Sequence, residues 1–265
     1  MPRTEVRIAA VQPSIPQLKK WNTESINDIF DSLMTQTELV LLQSGIQMII
    51  WPETAVPGPV LTDPDTGDFV GGLARRGVPI LVGSLEIDDM GPKQRLYNTS
   101  FLFGADGSVK ERYRKRHLVP FGEYIPFDKT FSVIEKIAPL GFSCTAGSTS
   151  TVFRLEGTGA AFSSLICFED IFAGLARESV RNGARLLVNQ TNDGWFDGTA
   201  GAMQHMCNSV FRCVENRVPA VRCANTGITC FIDRAGRVDM LKDERGNTRF
   251  QGFQAGNVVV EGPDM

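Results

Sequence analysis

Apolar runs and helix-spaced apolar positions alternate along the chain from its first residues. Residues 6–11 form a short apolar run that reads as a buried strand. Ile26, Ile29, Phe30, Leu33 and Met34 then mark one helical face, with Gly45 as the stop. Residues 48–51 are apolar again, so the chain opens strand–helix–strand, the order of an α/β layer fold. Residues 79–85 predict a further strand. From Asn98, the run N-T-S-F-L-F-G-A-D-G-S-V reads as two strands joined by a turn at Asp106-Gly107. The later run N-T-G-I-T-C-F-I-D-R-A-G-R-V, residues 225–238, follows the same plan. That echo hints at two similar halves; two hairpins alike by chance are the competing reading. Between the copies, residues 186–189 predict a strand and 203–215 a helix, and 258–260 a last strand.

Residues 124–150 stand apart from this pattern. Phe127, Phe131, Val133, Ile134, Ile137, Leu140 and Phe142 lie among Pro, Gly, Ser and Thr. The pattern fits a short covering helix with a loop, either a lid over a substrate or an ordinary surface helix.

The stretch S-S-L-I-C-F-E-D-I-F, residues 163–172, is the most informative. An apolar run leads to Cys167, Glu169 and Asp170 follow, and Ile171, Phe172, Leu175 and Ala176 recur at helical spacing. This predicts a buried strand that turns sharply into a helix. A cysteine at such a corner, near the positive end of a helix, is expected to favour thiolate. The bland alternative is a small apolar residue closing a core strand.

Composition narrows the field without choosing within it. At 265 residues, with 42% hydrophobic and 22% charged residues, the chain is ordinary for a globular protein. A net charge of -3 gives no support for nucleic-acid binding. No apolar run approaches the roughly 20 residues of a membrane helix. The six cysteines include no C-x-x-C pair and no short Cys/His cluster, so no metal site is expected. Most lie in apolar stretches and are expected to be reduced core residues. No cofactor is called for.

Cysteine chemistry needs a proton acceptor. His117 lies in a charged run and His205 on a predicted helix beside Gln204, and neither context marks a base. A partly buried carboxylate serves as well. Glu53, in W-P-E-T-A-V-P-G-P at the end of a strand that Pro52 terminates, is the best placed. Acyl transfer also needs positive charge or N–H donors where the oxyanion forms. Lys115 precedes the apolar L-V-P-F, while Arg112, Arg114 and Arg116 look solvent-facing. Glu123 is placed to anchor the lysine or act on substrate. The Phe168 backbone N–H is the second candidate donor.

A glutamate after W-P, a lysine ahead of a second glutamate, and C-x-E at a strand end resemble the nitrilase (carbon–nitrogen hydrolase) superfamily. The phrases V-Q-P-S-I-P-Q (11–17), W-P-E-T-A-V-P (51–57) and R-H-L-V-P-F-G-E-Y-I-P (116–126) carry the likeness further. So do N-D-G-W-F (192–196), Q-H (204–205), R-C-V-E-N-R (212–217) and A-N-T-G-I-T (224–229). Together they are most similar to one branch, the nitrilase-like domain of bacterial apolipoprotein N-acyltransferases.

The resemblance implies a four-layer αββα sandwich with internal pseudo-twofold symmetry, as a single catalytic domain over residues 1–265. It implies Glu53 as base, Lys115 as oxyanion stabiliser and Cys167 as nucleophile, with Glu123 and Glu169 as further acids. Asn192, Trp195, Phe196, Phe127, Phe131 and Ile134 are the expected substrate-binding residues. The implied partners are a phospholipid acyl donor and an apolipoprotein acceptor. The family often has tyrosine where Phe168 stands. Its enzymes carry this domain between membrane helices, so an excised domain would belong at the periplasmic face of the inner membrane. A freestanding relative would be cytoplasmic, and a soluble amidase or nitrilase using the same three residues is the alternative activity.

Overall fold

The computed structural model describes residues 3–16, 25–91, 93–124, 143–196 and 199–261. The first part of the chain forms β1 (Arg3–Gln12), α1 (Ile26–Leu41), β2 (Met48–Ile50) and α2 (Pro64–Ala74), then β3 (Ile80–Asp88), β4 (Arg95–Phe103) and β5 (Val109–Arg114). The second part forms β6 (Phe153–Arg154), β7 (Ala161–Ile166), α3 (Ala173–Arg181) and β8 (Leu186–Thr191). After these come α4 (Gly201–Asn216), β9 (Ala220–Ala224), β10 (Cys230–Ile232), β11 (Val238–Met240) and β12 (Gly252–Glu261).

Two six-stranded sheets result, ordered β12-β1-β2-β3-β4-β5 and β6-β7-β8-β9-β10-β11. From the β12 edge, successive pairs are antiparallel, parallel, parallel, antiparallel, antiparallel. From the β6 edge the sequence of pairings is the same. The two hairpins read from the sequence, β4–β5 and β10–β11, occupy equivalent places, so the echo reflects internal pseudo-twofold symmetry.

Alternation along the strands builds the layers. Val6, Ile8 and Ala10 of β1 face inward, with Met48, Ile50 and Leu81, onto Phe162, Ile166, Val188 and Val221 of the other sheet. The opposite face of the first sheet, with Ala9, Val11, Ile49, Val82 and Phe101, packs on Ile29 and Leu33 of α1 and Val70 and Leu73 of α2. Leu165, Leu187 and Ala220 pack likewise on Leu175 of α3 and Met206 and Cys213 of α4. Three apolar layers thus separate helix, sheet, sheet and helix, the four-layer αββα sandwich expected. Each fully buried side chain of this size contributes about 1.5–3 kcal/mol.

Helix α2 was not expected from the pattern of apolar positions, and its glycines are the reason. A glycine inside a helix costs about 1 kcal/mol relative to alanine. Here two of them allow close approach: a Cβ on Gly67 would stand 2.7 Å from the Val60 carbonyl oxygen, and one on Gly71 2.8 Å from that of Gly107. Strand β12 also runs well beyond residues 258–260, because β1 pairs with it along its full length. Met34, expected on the buried face of α1, is exposed; Thr37 and Val40 continue that face instead.

Candidate active site

Strand ends deliver the charged residues. Beyond β2, Trp51 and Pro52 lead into the loop that carries Glu53, which is buried. The loop lies directly on Gly83 of β3, where a Cβ would come within 2.7 Å of Glu53 Cα and of Thr54 N. Alternation along and beyond β5 turns Tyr113 and Lys115 into the interior, 2% and 1% exposed. Arg112 and Arg114 point the other way. They are not simply solvated: both pair with buried Glu86, and Arg114 stacks over the Tyr97 ring. Arg116 pairs with Glu178 of α3.

Lys115 Nζ lies 2.9 Å from Glu123 Oε2 and 3.4 Å from Glu53 Oε1. Asn98 Nδ2 donates to both carboxylates, each at 2.8 Å, and the Asn98 carbonyl accepts from Lys115 N at 2.8 Å. Val119 N adds a bond to Glu123 Oε2 at 2.9 Å. Burial works against the Lys115 ammonium, yet the charges of Glu53 and Glu123 outweigh it and hold its pKa above the ordinary value.

Cys167 opens a 3₁₀ turn, Cys167–Ile171, directly after β7. Its φ of 51° is left-handed, as are those of Thr54 (41°) and Phe121 (61°), which flank Glu53 and Glu123. Strained backbone of this kind is held by its surroundings and collects at functional sites. Burial, then the charge of Glu53, push the Cys167 thiol up, against the pull of Lys115. The thiolate expected from the sequence is therefore not the resting form. Desolvation and a neighbouring carboxylate favour the neutral thiol, and the sulfur must lose its proton as it reacts.

Glu169 ties the two halves of the site together. Its carboxylate accepts from Ile166 N at 2.8 Å, Arg116 N at 2.7 Å and His117 N at 3.1 Å. The Tyr113 hydroxyl lies 2.9 and 3.0 Å from its two oxygens. It is fully buried, which pushes its pKa up against these bonds. The geometry gives it the work of fixing the lysine segment against the nucleophile turn.

The remaining expected residues are placed unevenly. The Phe168 ring lies edge-on to Phe172. Asn192 is buried, and its Oδ1 accepts from Asn225 Nδ2 at 3.1 Å. Trp195 is 56% exposed and Phe196 packs edge-on to His205. Phe127, Phe131 and Ile134 lie outside the described residues, with most of the expected covering segment. Cys144, Cys213, Cys223 and Cys230 are buried, in line with the expectation that most cysteines are core residues, while Cys207 is exposed on α4. Sequence reasoning missed Asn98 and Tyr113 as site residues. The N-T shared by residues 98–99 and 225–226 was the available signal for Asn98, read only as a hairpin landmark. Among the described residues, no three His, Cys, Asp or Glu side chains stand together as a metal site would require.

The arrangement couples a neutral thiol to a carboxylate that can take its proton and to a buried cation that can meet an oxyanion. That is the equipment for forming a covalent acyl-enzyme.

The carbon-nitrogen hydrolase family model matches residues 7–248. The chain is 37% identical over 235 residues to the apolipoprotein N-acyltransferase of Geobacter metallireducens, covering 88% of this chain and 44% of that protein. It is 33% identical over 256 residues to that of Chlorobaculum tepidum, covering 88% and 48%. The chain spans about half the length of the curated relatives it matches. Among solved structures, Saccharomyces cerevisiae Nit3, a member of the nitrilase superfamily, superposes with a TM-score of 0.73 at 18% identity, covering 96% of this chain and 90% of that one. A glutamate-to-glutamine variant of the Nesterenkonia sp. AN1 amidase, with acrylamide added at its active-site cysteine, gives 0.64 at 20%, covering 97% and 93%. Both are likenesses of fold.

Proposed function

The chain belongs to the carbon–nitrogen hydrolase family, and from that premise we propose that it is the catalytic domain of an apolipoprotein N-acyltransferase. The observation that carries the acyl-enzyme chemistry is Lys115 held between Glu53 and Glu123, with the charges of Glu53 and Lys115 both acting on the Cys167 thiol; likeness to the named relatives favours a transferase over an amidase with the same three residues. Glu53 takes the thiol proton as Sγ attacks the acyl carbonyl of a phospholipid. The developing oxyanion is met by Lys115 Nζ and the Phe168 N–H. As the tetrahedral centre collapses, the lysolipid alkoxide leaves with the proton from Glu53, and a thioester remains on Cys167. The α-amine of a diacylglyceryl-cysteine then attacks the thioester, Glu53 accepts the amine proton, and the proton returns to the departing sulfur.

Glu123 and Asn98 act as positioning groups for Lys115 and Glu53, and Glu169 for the nucleophile turn. Exposed Trp195, beside Phe196, suits a rim that meets acyl chains, and on this reading the domain works at the periplasmic face of the inner membrane. Among the described residues, no helix is long and apolar enough to cross a membrane. The protein's relation to the bilayer is part of the proposal.

The test is to load the protein with an activated acyl ester in detergent and follow its intact mass as a diacylglyceryl-cysteine peptide is added. A thioester that persists in buffer and passes its acyl group to the peptide amine supports the transferase. Rapid hydrolysis that ignores the peptide, with turnover of small water-soluble amides, would overturn it in favour of an amidase.

A further inference from the structure

Beneath the nucleophile turn lies a second buried charge cluster that the reaction above does not use. His205 of α4 has Nδ1 2.8 Å from Asp193 Oδ1 and Nε2 3.1 Å from Asp170 Oδ1. The same Nε2 lies 3.3 Å from the main-chain oxygen of Cys167. Asn189 Nδ2 donates to that oxygen as well, at 3.0 Å. Arg222 of β9 closes the cluster: it donates to Asn189 Oδ1 at 2.6 Å, to Asp170 Oδ2 at 3.0 Å and to Asp193 Oδ2 at 2.9 Å. All five side chains are buried.

The charge state follows from the partners. Two carboxylates and one guanidinium leave a buried charge of minus one, and an imidazolium makes the cluster neutral. Both neighbours of Nε2 are acceptors, so that nitrogen carries a hydrogen in either state. Nδ1 lies 2.8 Å from Asp193 Oδ1 and 3.0 Å from Arg222 Nη2, and the charge balance places the second hydrogen there, toward the carboxylate. The groups facing His205 are Asp170 from the 3₁₀ turn, Asp193 beyond β8 and Arg222 from β9. Cys230 on β10 is kept neutral by burial, its thiol pushed to about 12, and Arg212 and Glu215 share helix α4. Burial disfavours the charged ring, but the bonds to Asp170 and Asp193 outweigh it and hold the pKa at about 9.

The Cys167 carbonyl and the Phe168 N–H belong to one planar trans peptide and point in opposite directions. A donor that fixes the oxygen fixes the line of the N–H, and a cation bonded to the oxygen polarises the whole peptide. We infer that His205, with Asn189, is a positioning residue that aims and polarises the Phe168 N–H toward the oxyanion formed at Cys167. The inference rests on Cys167 being the acylated nucleophile.

Two reactions at one sulfur separate this role from general support of the fold. Acylation by an activated ester builds an oxyanion; alkylation by iodoacetamide does not. In a Cys207→Ser background, which removes the exposed thiol, His205→Gln keeps an N–H for the carbonyl but no charge. It should slow acylation at pH 7.5 about tenfold, an effect of the size of one charge-assisted hydrogen bond, and change alkylation less than about threefold. Wild-type acylation should fall as pH rises through about 9, and the variant should lack that limb. Asp170→Asn removes one carboxylate from the ring and should move the limb about one unit lower, a readout that stands if the glutamine variant does not fold. Equal loss in both reactions, unchanged acylation in His205→Gln, or an alkaline limb that Asp170→Asn leaves in place would each overturn the inference. Wild-type protein that alkylates at Cys167 but never acylates would sink the acyl-enzyme itself, and this inference with it.

Discussion

Lys115 has the most exacting environment of any side chain in the site. It is buried between two carboxylates, and its worth to the reaction comes from being held there before charge develops. Lys115→Met leaves Glu53 and Glu123 facing each other with no cation between them, while Glu53→Gln removes the proton acceptor. Each should lower the rate of acyl-enzyme formation by about 10²–10³-fold or more, with the circular-dichroism spectrum unchanged. Intact-mass kinetics with an activated ester checks this, and either variant acylating at the wild-type rate would refute the mechanism. Glu53, Lys115, Glu123 and Cys167 were legible in the sequence because each sits in a phrase with its own local signature. Asn98 and Tyr113 were not, because their partners are set by strand pairing and by a contact between the sheets. Thiol ionisation was misread for a similar reason: the local corner favours thiolate, while the desolvation and Glu53 charge that defeat it come from residues distant in sequence.

The loop carrying Glu53 is set by the strand beneath it. Gly83 of β3 has no room for a side chain below Pro52, Glu53 and Thr54, and its carbonyl accepts from Ala55 N at 2.8 Å. Gly83→Ala must therefore lift that loop. Loss of acylation should be large, about 100-fold for a displacement near 1 Å, while iodoacetamide still alkylates Cys167. A crystal structure or an amide-exchange map of the variant should place the disturbance in residues 51–55. Most strands and the helices α1 and α4 were legible from periodicity, and the strand–turn–helix at Cys167 from the break in it; β6 and β9 went unread. Helix α2 was hidden by glycines whose purpose is contact with Val60 and Gly107. The extent of β12 was hidden because its pairing is dictated by β1 rather than by its own composition.

Charge buried between the layers also governs how the protein responds to pH. His205 is raised from 6.5 to about 9 by bonds to Asp170 and Asp193 that outweigh its desolvation. It therefore binds its proton more tightly folded than unfolded. Its contribution to stability is complete below about 6.5 and lost as pH rises through about 9. Thermal unfolding followed from pH 6 to 10 should show the midpoint falling over that window, and His205→Gln should flatten the fall; parallel curves would contradict the charge assignment. The four-layer plan and its two similar halves were anticipated by the hairpin echo and the family likeness, but the echo alone did not say which sheet the final strand joins. Strand β12 belongs to the first sheet, where Val6 is paired with Val258. During synthesis, then, β1 is made well before its outer neighbour and waits for it while the intervening 239 residues, 13–251, are added. Throughout that interval the growing polypeptide carries an open apolar strand edge, the feature that invites pairing with other chains. A chaperone that shields such edges would be expected to engage the unfolded domain and to leave only once Gly252–Glu261 has paired with β1.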